Sequence, residues 1–188
     1  MTYLSTDQVT EFGFKHVGNN VLISDKASVY NANKISIGDN CRIDDFCLLS
    51  GSLDIGSFTH LAPYCMLAGG ESGIVVGHYV TFAYGAKVFS ETDDYSGKGL
   101  VGSLVPRELK IKLEKEQVYI SSYCIIGTNS TIMPPSSLAE GVAVGAHSLV
   151  KTRLDAWGLY CGVPAVFLRS RSRAVKTSFL EIESTLLS

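Results

Sequence analysis

The stretch from Val118 to Val150 reads VYISSYCIIGTNSTIMPPSSLAEGVAVGAHSLV and repeats with a period of six. Aliphatic residues stand at every sixth position, namely Ile120, Ile126, Ile132, Leu138, Val144 and Val150. A compact residue follows four places after most of them, as at Cys124, Ser130 and Ser136. Since a period of six is neither the period of a helix nor a simple alternation, the pattern predicts stacked repeats that bury one another's apolar faces.

The same period extends through most of the chain. It runs in strict register from Ile37 to Leu67, is interrupted by a three-residue insertion in Gly69–Gly73, and resumes at Val76 as far as Val88. Three hexads make one coil, so we predict a triangular solenoid whose sides are short parallel strands. About five coils at ~4.8 Å each predict a prism roughly 25 Å tall.

A chain of 188 residues is long enough for one domain with a substantial core. Its predicted parts are an N-terminal cap in residues 1–20, β-helix in 21–89 and 118–153, an extruded loop in 90–117, and a C-terminal segment with a helix in 154–188. A cap helix is predicted over Ser5–Phe12, because its first residues have the capping-box form and Gly13 is a helix stop. The C-terminal helix is predicted after Ser172, from an apolar stripe at Val175, Phe179, Ile182 and Leu186.

The overall charge and apolar content exclude several classes of protein. The formal net charge is −2, which gives no electrostatic reason to expect a nucleic-acid partner. The mean hydropathy is +0.20, yet no apolar run approaches the ~18 residues of a membrane span. We assign the apolar excess to a repeat core and a subunit interface. The first residues lack the basic start and apolar core of a signal peptide, so a cytoplasmic location is expected.

The cysteines fit the repeat rather than a disulfide or metal framework. The chain has five cysteines and no CxxC pair. Four of them fall at the compact position of the repeat and are predicted to be small buried residues rather than reactive thiols: Cys41, Cys47, Cys65 and Cys124. No group of residues has the spacing of metal ligands, so no metal is expected.

Three segments resemble the hexapeptide-repeat acyltransferases: Ile126–Ile132 (IGTNSTI), Val144–Val150 (VGAHSLV) and Gly162–Ala165 (GVPA). The resemblance covers nearly the whole chain and is closest to the galactoside acetyltransferase branch, which includes sugar acetyltransferases of bacterial O-antigen pathways. It implies a left-handed parallel β-helix, a homotrimer, and acetyl-CoA in a cleft between subunits. The handedness comes from the resemblance alone, since the general rule for parallel crossovers gives a right-handed connection.

The spacing independently supports a groove along one edge of the prism. Thr128 and Ala146 are one coil apart and therefore occupy the same corner, and Tyr84 joins that column once the long loop is discounted. Such a column presents backbone N–H and C=O groups at regular steps, which suits the two amides of pantetheine. By resemblance, Thr128 meets the thioester and Ala146 the pantetheine arm. Gly162 and Pro164 are implied to lie by the adenine.

Basic residues near the C-terminus are expected to cluster at the top of the prism: Lys151, Arg153, Arg169, Arg171 and Arg173. Cations there would meet the 3′-phosphate and pyrophosphate of CoA, and a solvated basic tail is the alternative. His147 stands where the family signature commonly has glycine, and we expect it to line the CoA corner.

The long loop lacks the histidine that, in O-acetylating relatives, removes the proton from a sugar hydroxyl. No histidine occurs between His78 and His147, and Asp94 stands about where the loop histidine would be. A carboxylate is a weak base toward a hydroxyl, but it can hold an ammonium and accept its proton. The loop therefore favours N-acetylation with Asp94 as the catalytic carboxylate. Asp93 and Glu91 are further candidates, and all three equally suit a loop-capping role.

The predicted reaction is acetyl transfer from acetyl-CoA to a nucleotide-linked amino sugar in O-antigen synthesis. A GDP- or dTDP-linked 4-amino-4,6-dideoxyhexose, such as GDP-perosamine, fits this branch. O-acetylation of a sugar hydroxyl, with His78 or His60 as base, remains open, although each histidine taken alone better suits an exposed turn. A non-catalytic scaffold that does not bind CoA is the third interpretation.

Overall fold

The computed structural model describes residues 2–110 and 114–176, which wind into a three-sided parallel β-solenoid. The first sheet contains, in order, β1 (His16–Val17), β4 (Ile35–Ile37), β7 (Leu53–Ile55), β10 (Ile74–Val76), β15 (Val118–Ile120), β18 (Ser137–Leu138) and β21 (Arg153–Leu154). The second contains β2 (Leu22–Ile23), β5 (Arg42–Ile43), β8 (His60–Leu61), β11 (Thr81–Phe82), β16 (Ile125–Ile126), β19 (Ala143–Val144), β22 (Gly158–Cys161) and the antiparallel β23 (Val166–Ser170). The third contains β3 (Ser28–Tyr30), β6 (Leu48–Ser50), β9 (Met66–Ala68), β12 (Lys87–Phe89), β17 (Thr131–Ile132) and β20 (Leu149–Val150).

Little other regular structure accompanies the three sheets in the described residues. It comprises the helix α1 (Thr6–Glu11), 3-10 helices at Ala32–Lys34 and Arg107–Leu109, helical residues 174–176, and the antiparallel pair β13 (Glu91–Thr92) and β14 (Glu114–Lys115). Within these residues, no helix combines the length and apolar character needed to cross a membrane. The predicted C-terminal helix extends beyond residue 176, so its stripe at Phe179, Ile182 and Leu186 lies outside the described residues.

The aliphatic residues of the six-residue repeat line the interior, which confirms the main prediction from the sequence. Each is at most 3% exposed: Ile37, Ile43, Leu49, Ile55, Leu61, Leu67, Val76, Phe82, Val88, Ile120, Ile126, Ile132, Leu138, Val144 and Val150. The four cysteines at the compact position are buried beside them, whereas Cys161 is only half-buried. Burial raises the pKa of the Cys41 thiol and raises that of Cys124 to about 12, so both stay protonated and unreactive at neutral pH.

The stack has seven coils rather than the five predicted. Parallel strands begin already at β1 and β2 and continue through β21 and β22, beyond residues 21–89 and 118–153. The sequence count missed the last coil because it is two residues short, so Leu154 and Tyr160 follow Val150 out of phase. Stacking depends on backbone pairing and an inward apolar residue rather than on a strict count of six. The prism is therefore roughly 30 Å tall.

Insertions in the repeat are placed at the edges of the prism. The two-residue slip before Ile35 forms the 3-10 helix Ala32–Lys34, and the insertion in Gly69–Gly73 closes with a hydrogen bond from Gly73 N to Gly69 O (2.7 Å). The strands on either side keep their register, with Ile55 opposite Val76 in the first sheet. Insertions are thus tolerated at edges because they leave the ladder of each side intact.

The N-terminal helix has the predicted capping box. The Ser5 hydroxyl accepts a hydrogen bond from Gln8 N (3.3 Å), and Gln8 Oε1 accepts one from Ser5 N (2.8 Å). Gly13 ends the helical segment in the left-handed region, with φ of +67°. Leu4, Val9 and Phe14 pack against the core, so this segment covers the first coil.

Candidate functional site

Four of the predicted donor-site residues stack on one edge of the prism, between the second and third sheets. We call this the donor edge and define it by Tyr84, Thr128, Ala146 and Gly162. Backbone hydrogen bonds connect successive coils here, from Asn129 N to Tyr84 O (2.9 Å) and from His147 N to Thr128 O (2.8 Å). The pairing of β19 with β22 extends the same column from Ala146 to Gly162. The 18-residue spacing therefore predicted this column correctly.

The coils approach one another closely at the donor edge. A Cβ atom on Gly127 would lie 2.6 Å from Ala146 N, so a larger residue would push the two coils apart. Thr128 is half-buried, whereas Ala146 and His147 are exposed. The edge thus presents a flat backbone surface with side chains at its margin, which is the surface that an extended amide chain requires.

The top of the donor edge is formed by the loop after β22. Gly162 has φ of +103°, in the left-handed region that favours glycine, and its N–H donates to Ser148 Oγ (3.1 Å). Leu149 N donates to Gly162 O (3.0 Å), which ties the loop to the coil below. Pro164 is exposed directly beyond. Arg169 lies on β23 opposite Leu159 and is also exposed, so it is the predicted CoA-binding cation nearest to this edge.

Lys151 and Arg153 lie on a different edge, so the predicted basic cluster is dispersed. They follow the third sheet and enter the first, at what we call the loop edge because the long loop also leaves the prism there. Both line a cavity of about 800 Å³ with Glu116 and Gln117. The hexad count could have placed Lys151 here, because it follows directly after an inward residue of the third sheet.

Two other basic residues have structural contacts on the remaining edge. Arg171 Nη1 donates to Tyr123 O and to Gly141 O, both at 2.9 Å, and thereby caps two coils. The Arg173 guanidinium lies 6.0 Å from the centre of the Trp157 ring. These contacts account for the positions of both arginines without a bound phosphate. The expectation of a single basic cluster is therefore wrong.

The acidic loop begins with a two-stranded stem, in which Glu91 pairs with Lys115. Glu91 Oε1 accepts a hydrogen bond from Glu71 N (2.6 Å) and lies 3.7 Å from Lys115 Nζ, so its carboxylate holds the stem to the solenoid. This position matches the capping role that the sequence left open for Glu91. Asp93 is half-buried two residues further along the loop.

Asp94 forms an Asx turn at the end of the stem. Its Oδ1 accepts a hydrogen bond from Ser96 N and its Oδ2 one from Ser96 Oγ, both at 2.8 Å. Hydrogen bonds from the Ser96 side chain and backbone lower the pKa of Asp94 below its ordinary value, so it is ionised at neutral pH. Each carboxylate oxygen retains a second lone pair, which leaves room for a bound ammonium.

A pocket of about 360 Å³ lies beside these aspartates. It is lined by Thr92, Tyr95, Met133, Pro134, Leu149 and Lys151. Thr92 and Tyr95 bracket Asp93 and Asp94 in the sequence, so the pocket adjoins the acidic turn. Its largely apolar wall with one cation and a neighbouring carboxylate suits a deoxysugar that carries an amine.

The two candidate histidines lie on the lower coils. His78 is exposed, and its Nδ1 accepts a hydrogen bond from Ser57 N (3.0 Å), which makes it part of a corner turn. His60 Nε2 lies 2.9 Å from Asp44 Oδ2 on the outer face of the second sheet. His78 therefore matches the turn interpretation, whereas His60 belongs to a charged cluster that the sequence did not reveal.

The donor edge and the acidic turn are separated within one chain. Thr128 lies in the turn before β17 (Thr131–Ile132) and Met133 directly after it, so five residues, at most roughly 16 Å of extended chain, separate them. The third sheet therefore lies between the predicted thioester position and the loop edge.

No model of a known protein family matches the sequence. The chain is 38% identical over 187 residues to dTDP-4-amino-4,6-dideoxy-D-glucose acyltransferase of Escherichia coli, covering 98% of this chain and 94% of that protein. It also resembles solved structures of AntD, an N-acyltransferase from Bacillus cereus. A variant of AntD in complex with dTDP-4-amino-4,6-dideoxyglucose and coenzyme A has a TM-score of 0.95 and 42% identity, covering 98% of each chain. AntD in complex with dTDP and 3-hydroxybutyryl-CoA has a TM-score of 0.95 and 42% identity, covering 99% of this chain and 98% of that chain.

Proposed function

Because the chain belongs to the CoA-dependent nucleotide-amino-sugar N-acyltransferases, whose left-handed β-helix it shares, we propose that it acetylates the 4-amino group of dTDP-4-amino-4,6-dideoxyglucose. The observation that carries the proposal is the ionised Asp94 in a loop without histidine. The sequence left GDP and dTDP open, and the substrate and bound nucleotides of the relatives favour dTDP.

The donor edge is the part of the molecule that fits acetyl-CoA. Its stacked backbone at Thr128 and Ala146 offers the amide partners that a pantetheine arm needs. His147, Gly162 and Pro164 form the upper end beside the adenine, with Arg169 as the nearest predicted cation. The thioester would lie at Thr128, and Tyr84 continues the column one coil below it.

Asp94 binds and orients the acceptor amine. As an ionised carboxylate it attracts and orients the amino group, the neutral amine attacks the thioester, and Asp94 takes up the proton that the nitrogen loses as the C–N bond forms. The thioester of acetyl-CoA supplies the acyl group: a C–N bond forms, the C–S bond breaks, and CoA leaves as the thiol. A backbone N–H near Thr128 would stabilise the negative charge that develops on the carbonyl oxygen.

The site is completed by a second copy of the chain in a homotrimer. Within one chain, Asp94 lies at the loop edge and Thr128 at the donor edge, so a neighbour is needed to bring the two edges together. The loop also carries apolar side chains that its own chain leaves uncovered, with Leu104 97% and Tyr95 90% exposed. Such side chains are suited to packing against a neighbouring subunit. Lys151 and Arg153 would then reach CoA phosphates from the neighbour's side.

We place the reaction in the cytoplasm, where acetyl-CoA and nucleotide sugars are available, and in the synthesis of a surface polysaccharide such as an O-antigen. O-acetylation is less favoured, because the close relatives are N-acyltransferases and His78 is part of a turn.

Release of free CoA thiol tests the proposal. Purified enzyme with acetyl-CoA is expected to release CoA with dTDP-4-amino-4,6-dideoxyglucose and not with the analogue that carries a hydroxyl at C4. GDP-perosamine, which differs in both the nucleotide and the configuration of the sugar, is the comparison acceptor and should react more slowly. Equal rates with the hydroxyl analogue, or no release with any nucleotide-linked amino sugar, would contradict the proposed acceptor.

A further inference from the structure

A charged cluster of Arg42, Asp44 and His60 lies on the outer face of the second sheet. Arg42 and His60 are directly opposite each other on the neighbouring strands β5 and β8. Asp44 Oδ1 lies 2.6 Å from Arg42 Nε, and its Oδ2 lies 2.9 Å from His60 Nε2. One carboxylate therefore holds two nitrogen-bearing side chains in fixed positions.

The burial of the three side chains differs sharply. The Asp44 side chain is only 3% exposed, whereas Arg42 is 47% and His60 is 39% exposed. Desolvation of a buried carboxylate offsets much of the attraction to its partners, so the cluster contributes little net stability. Its clear effect is orientation: Asp44 fixes Arg42 and His60 from behind while they face outward, as outer carboxylates fix the ligands of a binding site.

The two outward residues stand out from their column. The outward positions in register with them on the other parallel strands of the second sheet are Leu22, Thr81, Ile125, Ala143 and Leu159, and the column ends at Arg169 on the antiparallel β23. An arginine beside a histidine offers planar N–H donors and positive charge that suit phosphate oxygens. Four uncharged positions separate this pair from Arg169, so the pair is a localised anion site rather than part of a generally charged surface.

The cluster lies on the side of the second sheet that leads to the donor edge. The backbone ladder of that edge continues downward by hydrogen bonds from Gly85 N to Pro63 O (3.0 Å) and from Tyr64 N to Asp45 O (3.1 Å). Asp45 directly follows the buried carboxylate in the sequence. His60 is two coils below the coil of Thr128, which corresponds to about 10 Å along the prism.

We propose that Arg42 and His60 bind the diphosphate of the nucleotide-sugar acceptor and that Asp44 is their positioning residue. This inference rests on the proposed function, because it places the acceptor below the thioester on the donor edge. The amine and the anomeric phosphate are attached at opposite sides of the sugar ring. When the amine meets the thioester, the diphosphate therefore lies at least a ring's width away, and the cluster is likewise distant from the thioester position. Arg42 supplies the permanent charge, and His60, with Nε2 turned to Asp44, presents its other ring nitrogen to the phosphate.

Calorimetry with dTDP and with CoA, each titrated alone, separates the two possible sources of a diphosphate. Arg42→Gln is expected to raise the Kd for dTDP at least tenfold and to leave the Kd for CoA within twofold. Lys34→Gln removes an exposed cation elsewhere on the prism and is the matched control, with both dissociation constants unchanged. Asp44→Asn, with its fold checked by circular dichroism, should weaken dTDP binding less than Arg42→Gln does.

Steady-state kinetics distinguish phosphate binding from a catalytic role. His60→Gln is expected to raise KM for the nucleotide sugar severalfold with kcat within about twofold, whereas loss of a general base would lower kcat and leave dTDP affinity intact. The inference is overturned if Arg42→Gln leaves dTDP affinity unchanged, if it weakens CoA instead, or if the wild-type protein does not bind dTDP. Because dTDP binding is measured without turnover, it can succeed even if the proposed acyl transfer fails.

Discussion

Asp94→Asn is expected to lower kcat/KM for the amino-sugar acceptor by a factor of about 10² to 10⁴, the range for loss of a positioned proton acceptor. The amide keeps the size of the side chain but can neither attract the amino group nor take up the proton that the nitrogen loses as the C–N bond forms. The acceptor amine would then be poorly oriented, and its proton would have to pass to water. Steady-state kinetics with varied nucleotide sugar and saturating acetyl-CoA measure the effect.

The pH dependence of the same variant gives a second test. Hydrogen bonds from Ser96 lower the pKa of Asp94, so its negative charge is present above the ordinary carboxyl range and is lost only as the pH falls through that lower value. Asp94 therefore does not titrate between about pH 5 and 8. In this range the fall of wild-type kcat/KM toward low pH should come from protonation of the substrate amine. Asp54→Asn, at an exposed position on the first sheet, is the control and should leave kcat/KM unchanged. An Asp94→Asn enzyme with near-normal kcat/KM would exclude the carboxylate from catalysis.

Phe82→Ala is expected to reduce the free energy of unfolding by about 3–5 kcal/mol, the cost of truncating a buried aromatic side chain. Phe82 is fully buried in the middle of the stack, between Leu61 below and Ile126 above. A cavity there removes contacts with both neighbouring coils, and each coil is stabilised mainly by its neighbours. Urea unfolding followed by circular dichroism measures the change.

Thr81→Ala is the matched control for the core prediction. Thr81 precedes Phe82 on the same strand but points to the outer face, so its truncation should change the free energy of unfolding by less than about 1 kcal/mol. Similar losses for the two variants would contradict the assignment of inward and outward positions.

The interior of the solenoid could be predicted from the sequence because its cause is periodic. An inward aliphatic residue recurs at the same place on each side, so counting sixes from Ile120 finds the inward residues as far as Val150. The donor edge follows from the same arithmetic, since residues one coil apart must stack. The count fails where a coil is short, as between Leu138 and Leu154, and where a coil is long, as between Val17 and Ile37, and this is why five coils were predicted and seven are present.

Contacts between outward side chains could not be predicted in this way. Phe58, Tyr79 and Tyr123 stack on one edge with centroid separations of 4.8 and 5.4 Å, each from a left-handed turn position. The repeat constrains only inward and compact positions, so these rings leave no signal in it. The cluster of Arg42, Asp44 and His60 could not be predicted for the same reason. Its residues come together only when neighbouring coils are paired.

The acidic turn shows where residue chemistry was informative without periodicity. The lack of a histidine in the loop pointed to Asp94 as the candidate carboxylate. The structure adds the hydrogen bonds from Ser96 that lower the pKa of Asp94. The placement of Lys151 was anticipated less well, because charge alone does not say which edge a residue occupies. Sequence distance therefore located the edges, and residue chemistry supplied Asp94 as a candidate for catalysis at the loop edge.

The site of acetylation on the product tests the central claim most directly. Product from acetyl-CoA and dTDP-4-amino-4,6-dideoxyglucose, purified and analysed by mass spectrometry and two-dimensional NMR, should carry one acetyl group as an amide on the C4 nitrogen. That amide should survive neutral hydroxylamine, which cleaves esters. An acetyl group on a ring hydroxyl, lost on hydroxylamine treatment, would contradict N-acylation by this enzyme.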